Sequence, residues 1–490
     1  MPADVAGSGA RWGTPPAHAV LVVAVLGSAM AFLDGTVVNV AVPRIGADLG
    51  ADLVALQWVL NAYLVTLAAF LLLGGALADR YGRRRVFLVG VFGFTAASLS
   101  CAVAPTVEAL IVARALQGLG GALLVPGSLA LLSATMHPRD RPRAVGAWSG
   151  LAGVASAVGP LLGGWLVDAA SWRAAFLVNV PVALLVVLES RRVPESIDAD
   201  APRHLDLVGA AAAAAGLGLL AGGLIAGGRS WSVLSAVAAL GGGGLLVAFA
   251  LLERRSPNPM LPPSVFASAQ FVGANLVTFA VYAGLGTAFF LFVVNLQVAL
   301  GYSALEAGVA LLPVTVLMLV LSPGAGALAQ RIGPRLPMTA GPLVVAVGLW
   351  WLAQVGPGDR YLVTVLPAVS VFGLGLALTV APLTAAVLAA VDEHHLGVGS
   401  AANNAVARVG ALLAVALLPG LAGVELVVDP DGRLPGYGAA MLISAALCAV
   451  GAVIAAATIR RTTPTRPTVQ PSVLQPCHDP CRRAVTTEAA

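Results

Sequence analysis

Long stretches without a formal charge, each bounded by arginines or acids, divide the chain. Ten of them, 53–78, 86–107, 144–167, 174–188, 207–228, 230–252, 307–330, 336–358, 361–391 and 434–459, are each read as one span. Three further apolar runs hold a single charge: 17–42 with Asp34, 108–133 with Arg114 and 396–421 with Arg408. The run 256–305 is too long for one helix, and Pro257, Pro259, Pro262 and Pro263 mark its first part as loop. A helix needs about 20 apolar residues to cross a bilayer, so the pattern predicts fourteen transmembrane helices, with 174–188 the shortest. The apolar run after Arg11 continues past Asp34 to Val42, which predicts a first span rather than a cleaved leader.

Composition narrows the class. Of 490 residues, 59% are hydrophobic and 10% charged, where a soluble domain carries about 25% charge. Mean hydropathy is +0.92. These values exclude a water-soluble enzyme, a disordered chain and a secreted disulfide scaffold, and Cys101, Cys448, Cys477 and Cys481 suggest no disulfide framework. The net charge of +4 does not point to nucleic acid, because the basic residues sit in short loops between spans. All of them are arginine. With abundant Ala, Gly and Val, that suggests the coding bias of a high-GC genome and a bacterial source.

Loop arginines instead predict orientation. With the N-terminus inside, 20 arginines face the cytoplasm and only Arg44, Arg173, Arg229, Arg360 and Arg433 face out. The expected protein is a multi-pass plasma-membrane protein with both termini cytoplasmic. The tail beyond 461 is rich in Pro, Thr and Arg and reads as disordered. Its Cys477-His478-Asp479-Pro480-Cys481 run is too sparse to predict a metal site.

One internal repeat organises the chain. Residues 75–84 read GALADRYGRR and 326–335 read GALAQRIGPR. Each copy follows an apolar span on the inner side, so the second half repeats the first in parallel topology, as in many secondary transporters. The first copy follows helix 2 and the second follows helix 10. The hairpin 207–252 is therefore an extra pair between two six-helix halves. The expected organisation is a cytoplasmic N-terminus (1–16), a first half (17–190), a loop (191–206), the inserted pair (207–252), a loop (253–268), a second half (269–460) and the tail (461–490).

Several motifs occur in order. Gly75-Ala-Leu-Ala-Asp79-Arg80-Tyr-Gly82-Arg83-Arg84 resembles the loop signature of the major facilitator superfamily. Leu33-Asp34-Gly-Thr36-Val-Val-Asn39-Val-Ala-Val-Pro43 is similar to the first-helix signature of its fourteen-span drug:proton antiporter branch. Leu110-Ile-Val-Ala-Arg114-Ala-Leu-Gln117-Gly118-Leu-Gly120 resembles the fourth-helix motif. The run Gly150, Gly153, Gly159, Pro160, Gly163 and Gly164 resembles the antiporter motif of the fifth helix. The resemblance implies an all-α polytopic fold and export by alternating access. It also implies that Gly75, Asp79, Arg80, Gly82, Arg83 and Arg84 latch the two halves in the outward-facing state. Gln330 stands where the first copy has Asp79, so a charge-based latch should be weaker in the second half.

The residues add their own chemistry. An acid inside a span costs about 2.5–3.5 kcal/mol on insertion scales and needs a partner, a proton or a water-filled cavity. Asp34 is therefore a candidate proton carrier, since burial disfavours a charged carboxyl. Asp34 and Arg114 each lie eight residues from the outer end of their spans, so they are expected at equal depth and in reach of one another. Gln117, one turn beyond Arg114, should face the same cavity. A static ion pair that only fixes packing is the alternative.

No acid lies well inside a second-half span, so Arg408 must find carbonyls, water, polar side chains or an anionic group. With Asp34 protonated, the cavity should be neutral to positive. Asn39, Trp58, Tyr63, Asn275, Tyr282, Gln297, Asn403 and Asn404 are further cavity candidates. The expected function is proton-driven export of small amphipathic drugs or antibiotics, with no bound cofactor, no nucleic-acid partner and a monomer in the bilayer. Proton-coupled uptake of a metabolite is the alternative. A membrane receptor or enzyme would leave the repeat unexplained.

Overall fold

The computed structural model describes residues 9–197, 206–228, 230–256, 263–391 and 396–460. The tail with its Cys-His-Asp-Pro-Cys run lies outside them. The helices are α1 (Pro15–Leu49), α2 (Leu53–Tyr81), α3 (Arg83–Ala102), α4 (Val107–Thr135), α5 (Arg141–Ala169), α6 (Ala174–Ser190), α7 (Leu207–Gly227), α8 (Val233–Arg255), α9 (Ala269–Val298), α10 (Ala304–Ile332), α11 (Arg335–Leu352), α12 (Tyr361–Leu388), α13 (Leu396–Leu421) and α14 (Tyr437–Thr458). Among the described residues thirteen are long and apolar enough to cross a membrane, and α6 is the shorter fourteenth.

Local chemistry explains where the helices start and stop. Asp52, Thr106, Ser268 and Ser303 each accept a hydrogen bond from a backbone N–H in the first turn of the helix that follows. α6 is interrupted at Val178, where Pro181 has no N–H to offer the preceding turn. α10 is interrupted at Leu311 in the same way, beside Pro313. The first span runs further than its apolar pattern suggested. Pro43 lies inside α1, which continues through Arg44 to Leu49 before Gly50 closes it in the left-handed region. Arg44 is thus a helical residue, 3.9 Å from Asp168.

The sequence repeat is a structural repeat. The turn between α2 and α3 bends at Gly82 (φ 106°), and the turn between α10 and α11 bends at Gly333 (φ 85°). Both are glycine because a side chain is strained in that region. The packing repeats as well. α1 packs on α5 as α9 packs on α13, α2 on α4 as α10 on α12, α3 on α4 as α11 on α12, and α1 on α6 as α9 on α14. α7 and α8 pair with each other, and α7 also lies against α2 and α13. There Ala213, Leu217, Ala221 and Ile225 meet Val65, Ala69, Leu412 and Ala416.

The halves join through symmetric contacts, α2 on α13 and α10 on α5, at the face opposite the chain termini. A Cβ on Gly164 would collide with the Ala304 carbonyl and sit 2.7 Å from Leu305 Cα, and one on Gly308 would collide with the Pro160 carbonyl. Only glycine lets α5 and α10 approach this closely. Asp168 at the end of α5 accepts the backbone N–H of Ala304 (3.2 Å) and Leu305 (2.7 Å), capping α10 across the seam. Gln57 donates to the carbonyls of Val415 (2.6 Å) and Ala416 (3.2 Å), and Gln297 to that of Val40 (2.9 Å). Towards the other face α5 and α10 diverge. Gly150 and Gly153 on α5 and Gly324 on α10 meet nothing within 4 Å of an added Cβ.

Overpacking at such a seam costs about 1–3 kcal/mol. Gly164→Val should therefore open the joined face, so that a cysteine introduced at the fully buried Val37 becomes reactive to a thiol probe added from that side. Gly150→Ala, with open space around it, should leave the labelling rate unchanged.

Candidate functional site

The charges held inside the first half converge on one point. Asp34, from the middle of α1, is 1% exposed, and so is Arg114 from α4. Arg114 Nη1 forms a short ion pair with Asp34 Oδ2. Gln117 donates to Asp34 Oδ1 at 2.7 Å, and its own Oε1 accepts from Arg114 Nη1 at 2.7 Å. Arg114 and Gln117 share a face of α4, three residues apart, so together they occupy both carboxylate oxygens.

Neighbouring helices complete the guanidinium's surroundings. Arg114 Nε donates to the Val59 carbonyl of α2 at 3.1 Å. Its plane lies 4.4 Å from the Tyr63 ring centroid and 5.9 Å from that of Phe176 on α6. Tyr63, 2% exposed, also packs edge-on to Phe94. Removing one partner of a buried pair costs about 3–5 kcal/mol, because the other charge is left alone in low dielectric. The pair, Gln117 and Tyr63 thus form one unit that ties α1, α2 and α4 together.

Asp34 and Arg114 come within reach of one another as expected, but not from matching positions on their helices. α1 ends at Leu49 and not near Val42, so the two residues do not lie at matching distances from their helix ends. They meet because α1 crosses α4 at that level.

On the opposite side of the bundle, Arg408 of α13 is half-buried. Its Nε has no hydrogen-bond partner, and among the described residues no hydrogen bond or ion pair holds its guanidinium. It lies within electrostatic reach of Tyr63 and of Tyr282 on α9. Tyr63 therefore lies near both the cation of the first half and that of the second.

The other candidates divide. Asn403 donates to Asn275 Oδ1 (3.2 Å) and Thr278 Oγ1 (2.7 Å), a polar joint between α13 and α9. Asn39 donates to the Gly35 carbonyl and Asn404 to that of Ser400, each one turn back on its own helix. Gln297 is spent on the seam. Trp58 is not a cavity residue. Its indole packs on Gly222 of the inserted pair, because that face of α2 is covered by α7. The glycine face of α5 is also only partly used. Gly159 lies against Thr36, Gly163 against Val37 and Gly164 against α10, whereas a Cβ added at Gly150 or Gly153 would meet nothing within 4 Å.

In the 75–84 loop, Asp79 accepts from Arg83 Nε at 2.8 Å, within its own half. Glu195, just beyond α6, accepts from the backbone N–H of Arg84 (2.9 Å) and Arg85 (3.1 Å), capping the start of α3. The sequence reading missed Glu195 and Asp168. Each is an acid beside a helix N-terminus, where free N–H groups attract one. The only signal was their position just past an apolar span, since the helix each one caps lies far along the chain.

Comparison with known proteins agrees with this geometry. The chain is 36% identical over 454 residues to the puromycin resistance protein pur8 of Streptomyces alboniger, covering 89% of this chain and 90% of that one. It is 36% identical over 412 residues to the tetracenomycin C resistance and export protein of Streptomyces glaucescens, covering 82% of this chain and 75% of that one. The fold matches a D-xylose-proton symporter crystal structure with a TM-score of 0.64 at 15% identity, over 91% of this chain and 98% of that one. A family model described as Major Facilitator Superfamily matches residues 24–204 and 207–415, and with its paired halves and many apolar spans this chain belongs to that superfamily as a multi-pass membrane protein.

Proposed function

We propose that the protein exports small amphipathic drugs or antibiotics across the plasma membrane, driven by the proton gradient and working by alternating access. The observation that carries this reading is the sealed Asp34–Arg114–Gln117 unit inside a two-fold bundle. A carboxylate held in the middle of a span can take a proton and release its arginine, which links protonation to helix packing. The relatives named for resistance and export support the direction of transport, and no nucleotide-binding loop accompanies the fold.

The arginine distribution supports cytoplasmic termini. The joined face is then external, and the diverging ends of α5 and α10 open towards the cell interior, where an exporter loads its cargo. Opening the external face requires the Asp168 cap, the Gln57 bonds and the Gly164–Gly308 contacts to part. The 75–84 loop would then close against the other half as the latch, and Asp79 would leave Arg83 for a partner across the cytoplasmic seam. The protein acts as a monomeric transporter with no bound cofactor and is not an enzyme.

Asp34→Asn should abolish proton-driven export at matched membrane expression, because the amide still fills the site but cannot cycle a proton. Uptake of a fluorescent drug into inverted vesicles, with and without an uncoupler, reads this directly, and unchanged uncoupler-sensitive transport would refute the role. The latch gives a second expectation. Asp79→Asn should slow turnover several-fold while Gln330→Ala changes it little, since only the first copy has a charge to lose. Equal effects on vesicle transport rates would reduce both loops to setting topology.

A further inference from the structure

The second half holds a cation that the exporter reading does not use. Every titratable contact of Asp34 is accounted for: its two oxygens are taken by Arg114 and Gln117. Among the described residues no carboxylate, carbonyl or amide is bonded to Arg408, and no acid lies in α9, α11, α12, α13 or α14. Glu306, at the start of α10, is committed to the Ser303 N–H at 2.8 Å. A charged side chain at mid-span is retained only where it faces water or a partner of opposite charge. The half-buried side chain has its Nε enclosed in protein without a hydrogen-bond partner.

The surroundings suit a ligand rather than a structural pair. Tyr63 and Tyr282 lie within electrostatic reach of Arg408, and Asn404 stands one turn before it on α13. A guanidinium presents donors in a fixed fork that matches a carboxylate or a similar planar anion. With Asp34 neutralised by Arg114, or protonated, the net charge of the central groups is positive in either state.

We infer that Arg408 is the recognition site for an acidic group of the transported molecule, so that amphipathic organic anions, carboxylates above all, are the preferred substrate class. This rests on the exporter reading and goes beyond it by assigning the charge of the cargo. Arg114 and Arg408 thereby divide two tasks, the first paired with the proton-carrying acid and the second with the substrate. The aromatic body of the substrate would lie against Tyr282, and the acid would close the fork.

The test uses purified full-length protein in detergent and in proteoliposomes. Binding of a series of aromatic carboxylates, each beside its primary amide, is followed by tryptophan fluorescence, and energised transport of the same pairs is followed alongside. The wild type should bind the acids at least about tenfold tighter than the amides, as expected for charge-assisted bonds. Arg408→Gln should erase that preference while leaving amide binding intact, and Arg408→Lys should keep part of it. No saturable acid binding in the wild type, or a preference that survives Arg408→Gln, overturns the inference. If Arg408→Gln does not fold, Arg408→Lys decides the matter, since a purely structural cation would give equal losses for acid and amide. Failure of the exporter reading looks different: the acid preference would persist in binding, but no compound would move in an uncoupler-sensitive way.

Discussion

An ion pair buried among lipid-facing helices constrains everything packed around it. Neither Asp34 nor Arg114 could be tolerated alone at that depth, so each fixes the position of the helix that carries the other. Once α1 and α4 are joined, the Val59 carbonyl and the Tyr63 ring on α2 become part of the same unit, since Arg114 has more donors than the carboxylate can satisfy. Gln117 saturates the second carboxylate oxygen. The unit is complete in its present form, and changing any part of it, the proton occupancy of Asp34 included, must be felt across three helices.

The seam between the halves has the opposite character. Its contacts are glycine surfaces, one carboxylate cap and two amide-to-carbonyl bonds, each of them individually modest. A hydrogen bond to a backbone group contributes about 0.5–1.5 kcal/mol net. Close backbone approach supplies the rest through van der Waals packing, which in a membrane takes over part of the role that hydrophobicity has in water. Rigid halves joined by a smooth, weakly bonded seam are what a rocking bundle requires. Asp168 is the exception, since a charge on a helix N-terminus is a stronger and more directional tie than its neighbours.

Much of this architecture was legible in the chain because the physics is local. Charge-free runs give spans, and the ten-residue repeat gives parallel halves through the requirement for glycine at 82 and 333. Asp34 and Arg114 were legible for the same reason: a charge in an apolar run has to be explained. What escaped depends on which helix faces which. Trp58 reads as a cavity aromatic in sequence, but α7 covers its face of α2. Gly150 and Gly153 read as a packing face in sequence, but α5 diverges from α10 at their level. Asp168 and Glu195 cap helices that begin more than one hundred residues away, and no spacing rule links an acid to a distant N-terminus.

The two halves share a backbone plan but not a charge plan. Asp79 has become Gln330, and the sealed acid–arginine unit of the first half has no counterpart among the described helices of the second. The second half's one arginine well inside a described span sits on α13, whose partner in the repeat is the glycine-rich α5. Duplication supplies two similar bundles and a two-fold seam, which is enough for alternating access. It does not supply coupling, because two identical halves would hold proton and substrate equally. In the proposed mechanism, divergence in charge gives the halves separate tasks. A first half whose buried charges are fully paired can respond to a proton. A second half whose half-buried mid-span arginine has no partner among the described residues can respond to a ligand, and Tyr63, stacked on Arg114 and within electrostatic reach of Arg408, lets each event be felt by the other.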